Sequence, residues 1–444
     1  MNADVHPIRT AAETALIESF AARKATLPGG KALAAQREAA FRQFEQQGLP
    51  HRRVEEWKYT DLRALMRDAK PLAAAPGAAE KARAKDAGRI AAGIEPRRLV
   101  FVNGAFVAEL SDLAALEPGL TVISLAQALA AGDADVVARL GESSTANGDV
   151  ALALNTALMG DGAVVRVAPG ATVERPIHLA FVYAGEKAGA VFARSVAVIG
   201  KGARAMLVET HEGPAALDYQ VNTALDLAVA DDAHVDHVKL TGEGGAALHL
   251  STLVAEIGAH ARFNTFAFTT GGAVVRNQMF VRCAGKESNL RLAGATLLRG
   301  KQHVDTTLVV DHALSGCESR ETFKSVLDDE SRAVFQGKIV VRPRAQKTDA
   351  RMATHALLLS DTAESDNKPE LEIFADDVQC GHGATSGAID ENLKFYLMAR
   401  GIPEPEAEAL LIESFVGGAV EAIEHAGLRE ELMGAVRDWL KVRT

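Results

Sequence analysis

Apolar residues near the start of the chain recur at spacings that place them on one face of a helix. Leu16 and Phe20 do so within 10–25, and Leu33, Phe41 and Phe44 within 32–47, among the strong helix formers Ala, Glu, Gln, Lys and Arg. Two helices are expected there, the second stopped by Gly48 and Pro50. An Ala-rich run over 71–93, with Pro71, Pro76, Gly77 and Gly88, reads as linker or weak helix. Asn103-Gly104, between the apolar runs 99–102 and 105–107, signals a hairpin, because Asn-Gly accepts the positive φ angles of a type I′ turn. A further helix is expected over 123–140.

From about Val164 to Ile389 the helical period gives way to strand alternation. A Gly- or Asp-bearing corner precedes an alternating run after Ala203, Ala233, Ala261 and Ser288, at spacings of about 30, 28 and 27 residues. Gly170-Ala171 marks an earlier turn of the same kind. One short unit per repeat with no crossover helix is the pattern of stacked β coils, a parallel β-helix; a β-sandwich is the competing reading. Helical spacing returns over 391–400, closed by Gly401. Pro403-Glu-Pro-Glu406 then starts a helix, with proline and acids in its first turn. Leu410, Ile412, Val416 and Val420 follow on it, Gly427 ends it, and 428–442 forms a last helix. These helices are expected to cap the exposed edge of the solenoid and to offer leftover apolar surface to a partner. The units expected are an N-terminal helical region with linker (1–93), a mixed α/β connection (94–160), the β-helix core (161–390) and a C-terminal helical domain (391–444).

At 444 residues the chain exceeds one ordinary core, and 48% hydrophobic with 24% charged residues is a soluble, globular balance. A net charge of −10 with scattered basic residues excludes an extended nucleic-acid surface. Met1 to Thr10 is polar and no stretch approaches about 18 uninterrupted apolar residues, so neither an export leader nor a membrane span is expected. Cys283, Cys317 and Cys380 are odd in number and far apart, which suits a reducing compartment, the cytoplasm, better than a disulfide framework.

The sequence carries no P-loop, dinucleotide fingerprint, Gly-x-Ser-x-Gly elbow or Cys-x-x-Cys. If nucleotide energy is used, another chain hydrolyses it. His234-Val-Asp236-His237 looks like a metal motif, yet on a strand His237 points away from the other two. His303 and Asp305 share a face, and a hydrogen bond explains them as well as a ligand role. Cys317, within Asp311-His312-Ala-Leu-Ser-Gly-Cys317, reads either as a buried small hydrophobe or as a ligand. The strongest chemical signal is Gln379-Cys380-Gly381-His382-Gly383. Residues i and i+2 of an extended backbone put a thiol and an imidazole side by side, a pair suited to iron, Fe–S species or zinc. Two ligands do not close a metal site, so substrate, solvent or a second protein must supply the rest. Residue chemistry alone leaves a tight turn with a buried cysteine equally open.

The runs Val334-Phe-Gln-Gly-Lys-Ile339, Ala345-Gln-Lys-Thr-Asp349, Leu357-Leu-Leu-Ser360, Lys368-Pro-Glu-Leu-Glu-Ile373, Ala375-Asp-Asp-Val-Gln-Cys-Gly-His-Gly-Ala-Thr385 and Phe395-Tyr-Leu-Met-Ala-Arg-Gly-Ile402 resemble the SufB/SufD family of iron–sulfur cluster assembly scaffolds. Glu55-Glu-Trp-Lys-Tyr-Thr60 resembles the SufD branch of that family. The resemblance implies a right-handed parallel β-helix between helical flanks, and a scaffold rather than an enzyme, within an ATP-driven complex. It also implies pairing with a SufB-like paralogue through the β-helices and docking of a SufC-like ATPase on the C-terminal helices, with no nucleotide bound by this chain; when isolated, the chain can pair with itself. It makes His382 the first choice for an iron ligand or metal-entry residue, and Cys380 its support, toward iron or a transient Fe–S cluster shared with the paralogue. Where SufB members carry a cluster-building cysteine this chain reads Met352-Ala-Thr-His-Ala356, so it is not expected to assemble a cluster alone. His355 is a further ligand candidate. The readings set against this are a carbohydrate-active β-helix enzyme, usually exported, and a purely structural partner.

Overall fold

The computed structural model describes residues 9–146 and 148–442, the side chains of 143–146 excepted; the polar segment before Arg9 lies outside them. Among the described residues the chain winds between a ten-stranded and a nine-stranded sheet, contributing one strand to each per coil. From the C-terminal rim inward, the larger sheet runs Gln379–Gly387, Asp349–Leu358, Glu318–Leu327, Asn289–Leu298, Arg262–Thr269, His234–Thr241, Arg204–Glu212, Ile177–Val182, Arg97–Val102 and Ala105–Phe106. The smaller runs Glu364–Ile373, Arg332–Val341, His303–His312, Val274–Cys283, Leu248–Ile257, Gln220–Val229, Ala190–Ile199, Ala163–Val167 and Leu120–Ser124. Pairing is parallel and in register throughout except at the N-terminal end of each sheet, where the last pair is antiparallel. The structure is a parallel β-solenoid, and the sandwich reading falls.

The repeat legible in the sequence is the corner. Gly170, Gly202, Asp232, His260, Glu287, Gly316 and Lys347, one per coil, hold φ between 55° and 76°, a conformation that Gly adopts freely and Asn or Asp tolerate better than other side chains. The Asn103-Gly104 hairpin is present, with φ of 52° and 81°.

Alternation sorts each strand between lumen and flank. Leu207, Val235, Phe263 and Leu290 of the larger sheet enter the interior core, while Met206, Val238, Phe266 and Ala295 face outward. Against that outer face lie the helices Glu404–Val420 and Ala426–Lys441, through Ile412, Val416, Leu432 and Val436. This corrects the expected cap: the helices cover a sheet face, because the outward residues there are apolar and need cover, and leave the rim of the solenoid open. The outer face of the smaller sheet is covered by Ala11–Arg23, Gly30–Gln47 and Val150–Leu158. Every residue of Val150–Leu158 is buried, so it has no polar face to reveal its period and is not legible as a helix from pattern alone. The single helix expected over 123–140 is also corrected. Leu120–Ser124 is a strand, consistent with its β-branched Thr-Val-Ile, and Leu125–Ala130 is separated from Ala134–Ala146 by Gly132 at φ 73°.

Candidate metal site at the solenoid rim

Among the described residues the strand Gln379–Gly387 pairs on one side only, with Asp349–Leu358, so its outer edge presents free backbone groups. Glu364–Ile373 is the matching edge of the other sheet, and Ile373 and Phe374 are exposed beside it. Parallel register sets Cys380 beside Ala350 and His382 beside Met352. Cys380 is half-buried against the interior core, and His382, two residues on, shares its face and is exposed. The thiol and imidazole are therefore presented together on an open edge. A Cβ at Gly381 or Gly383 would meet nothing within 4 Å, so neither glycine is required by crowding within this chain.

Burial pushes the Cys380 thiol above its ordinary value, and the negative charges of Asp349 and Glu321 act in the same direction. In the isolated chain it is a protonated thiol; a cation must displace the proton before sulfur becomes a ligand. One coil further in, Met352 lies buried between Glu321 and His382 in the same register column. Burial raises the Glu321 carboxyl to about 7. Neither of its oxygens makes a well-formed hydrogen bond, although the hydroxyl of Ser319 beside it favours the charge.

His355 falls on the opposite face of its strand, with Nδ1 at 2.7 Å from Thr385 Oγ1, and cannot join Cys380 and His382. His234 and Asp236 face outward together, at 3.6 Å, within an ion-pair cluster with Glu424. His237 points inward to Thr265 at 2.9 Å, as alternation requires. His303 and Asp305 form a clasp. Thr60 Oγ1 lies 2.9 Å from His303 Nε2 and donates to Asp305, while Trp57 stacks over Arg276, whose guanidinium pairs with Asp305. The Glu55–Thr60 motif is thus the segment that seats the N-terminal region on the smaller sheet. The sequence alone did not bring Cys283, His312 and Cys317 together, yet their ligand atoms all lie within 4.8 Å of one another. One signal was available: Cys283 and His312 sit one coil apart, in register.

Comparison with known proteins gives the family. The family model described as "SUF system FeS cluster assembly, SufBD core domain" matches residues 181–415, and that of the SufBD protein N-terminal region matches 10–179. The chain belongs to the SufB/SufD family. It is 31% identical to the iron–sulfur cluster assembly protein SufD of Escherichia coli over 89% of this chain and 90% of that one. A SufBD family iron–sulfur cluster assembly protein of Synechocystis is 29% identical, over 89% and 88% of the two chains. The SufB/SufD family is a scaffold component of iron–sulfur cluster assembly, so the carbohydrate-active reading is set aside, and the resemblance to the SufD branch agrees with the first of these relatives. Among the described residues no helix is long and apolar enough to cross a membrane.

Proposed function

We propose that this chain is a non-ATPase, cytoplasmic scaffold subunit whose open rim lends His382 and Cys380 to iron, or to a nascent Fe–S cluster, held against a SufB-like paralogue. The metal or cluster is cargo, passed on rather than kept. The observation that carries the reading is a thiol and an imidazole on one face of a strand that pairs on one side only. A second solenoid can add its own strands to the free edges, which would set its ligands beside His382 and complete the coordination. Exposed Ile373 and Phe374 give that contact an apolar component. Met352 offers a buried thioether where a thiolate would be needed, which supports a contributing rather than an autonomous role.

We assign docking of a SufC-like ATPase to the C-terminal helices. Support comes from Leu393, Phe395, Tyr396 and Met398 on Glu391–Met398 and from Leu410, all exposed, with Phe395 at 72% of its full accessibility. Two helices bury their apolar stripes on the sheet; this one leaves its own uncovered.

The deciding experiment is complementation in cells that depend on the Suf machinery. His382→Ala is expected to lower the activity of a reporter Fe–S enzyme by about tenfold or more, with the complex still isolated intact; Cys380→Ser is expected to do less. Wild-type cluster assembly by His382→Ala sinks the ligand role and leaves the purely structural partner.

A further inference from the structure

Cys283 ends one strand of the smaller sheet, His312 ends the next, and Cys317 stands just before the larger sheet resumes. All three side chains turn into the lumen at the same corner, and all are fully buried. Register makes Cys283 and His312 direct neighbours, with Sγ to Nδ1 at 3.8 Å. In a tetrahedral site with metal–sulfur and metal–nitrogen bonds of about 2.3 and 2.0 Å, ligand atoms stand roughly 3.5–4 Å apart. Cys283 and His312 already meet that spacing, and the three atoms, all within 4.8 Å of one another, reach it with shifts of no more than about 1 Å.

The hydrogen bonds around the cluster set the histidine for coordination. Nε2 of His312 lies 3.0 Å from Ser319 Oγ. With Nε2–H donated to the Ser319 oxygen, the lone pair of Nδ1 is left facing Cys283. Ser288 Oγ, 3.2 Å from Cys317 Sγ, is an oxygen donor within reach of a fourth position.

We propose that Cys283, His312 and Cys317 form an internal site for one thiophilic divalent cation, ferrous iron or zinc, separate from the rim. Loading joins the cation to two thiolates and one imidazole and releases the two thiol protons to solvent. The site shares a lumen with the rim: the register column through Ser319 continues to Ala350 and then to Cys380, two strands away.

The test uses the reduced, full-length chain under anaerobic conditions, carrying Cys380→Ser and His382→Ala so that the rim cannot contribute. Cobalt(II), zinc(II) and iron(II) are titrated separately. The expected result is one equivalent of each bound, with thiolate-to-cobalt charge-transfer absorption and sulfur scatterers at about 2.3 Å in X-ray absorption of the zinc form. Adding Cys283→Ser and Cys317→Ser is expected to abolish it. Ser319→Ala is expected to weaken it about tenfold, since it only positions the imidazole. Thermal melts of each variant check folding, and the X-ray measurement needs no substitution within the cluster itself. Absence of both cobalt–thiolate absorption and sulfur scattering would overturn the proposal, whatever becomes of the rim. Metal analysis of protein isolated from cells then separates the sources: iron or zinc retained at this site supports it, and titration in which neither binds refutes it.

Discussion

Single residues here are held by the pairs they form. Arg194 and Asp226 are both fully buried on the outward side of the smaller sheet, joined by contacts of 2.6 and 3.0 Å, with Asn155 of the overlying helix at 3.3 Å from the guanidinium. Removing one partner strands a charge in the interior. Asp226→Ala is expected to cost about 3–5 kcal/mol by urea denaturation, whereas breaking an exposed pair such as Lys441–Asp438 should leave the midpoint nearly unchanged. His178 makes a pH prediction. Burial pushes its imidazole down to about 4, so the folded chain keeps it neutral, with Nε2 at 2.9 Å from Thr210 Oγ1. As pH falls below the ordinary value near 6.5, the unfolded chain takes a proton that the folded chain refuses, and stability drops until about pH 4. Between pH 7 and 5 the wild type should lose about 2 kcal/mol more than His178→Gln; equal losses would show the ring charged in the fold. Cys380 and His382 were legible at this scale because i, i+2 alternation is a local rule. Cys283, His312 and Cys317 were not, since their meeting depends on coil length and on which way each strand faces.

At the scale of elements, the segment Glu55–Thr60 explains how the N-terminal helices find their place. Trp57 is buried, its ring lies 3.8 Å from the Arg276 guanidinium, and Nε1 donates to Asp149 at 3.1 Å. Trp57→Ala should destabilise the chain by about 3–5 kcal/mol and loosen that flank first, which hydrogen exchange of Ala11–Arg23 and Gly30–Gln47 would register. The helix Glu391–Met398 predicts a different effect. Phe395→Ser with Leu393→Ser removes exposed apolar surface, so stability should stay within about 0.5 kcal/mol while co-purification of the ATPase falls. Retained capture would move the docking surface elsewhere. The helices 404–420 and 426–441 were readable from their amphipathic spacing, but the surface they cover was not. A helical stripe says that something must be buried, and the outward residues of six distant strands say against what.

For the molecule as a whole, the solenoid divides its work between lumen and rim. The coils stack in register, so a column of side chains runs from the interior cluster past Ser319 and Ala350 to Cys380 at the open end. The sequence by itself determined most element types (Leu120–Ser124 and the buried Val150–Leu158 excepted), the coil repeat, the positive-φ corners and the side-by-side presentation of Cys380 and His382. Each of these follows from backbone sterics or from a period of two or 3.6 residues, and such rules act over a few positions. Tertiary structure alone decided that the C-terminal helices lie along a sheet rather than over its end, that His355 faces away from His382, and that two cysteines and a histidine meet in the lumen. Those outcomes depend on register between strands about thirty residues apart and on which apolar face most needs cover, and neither is carried by local sequence.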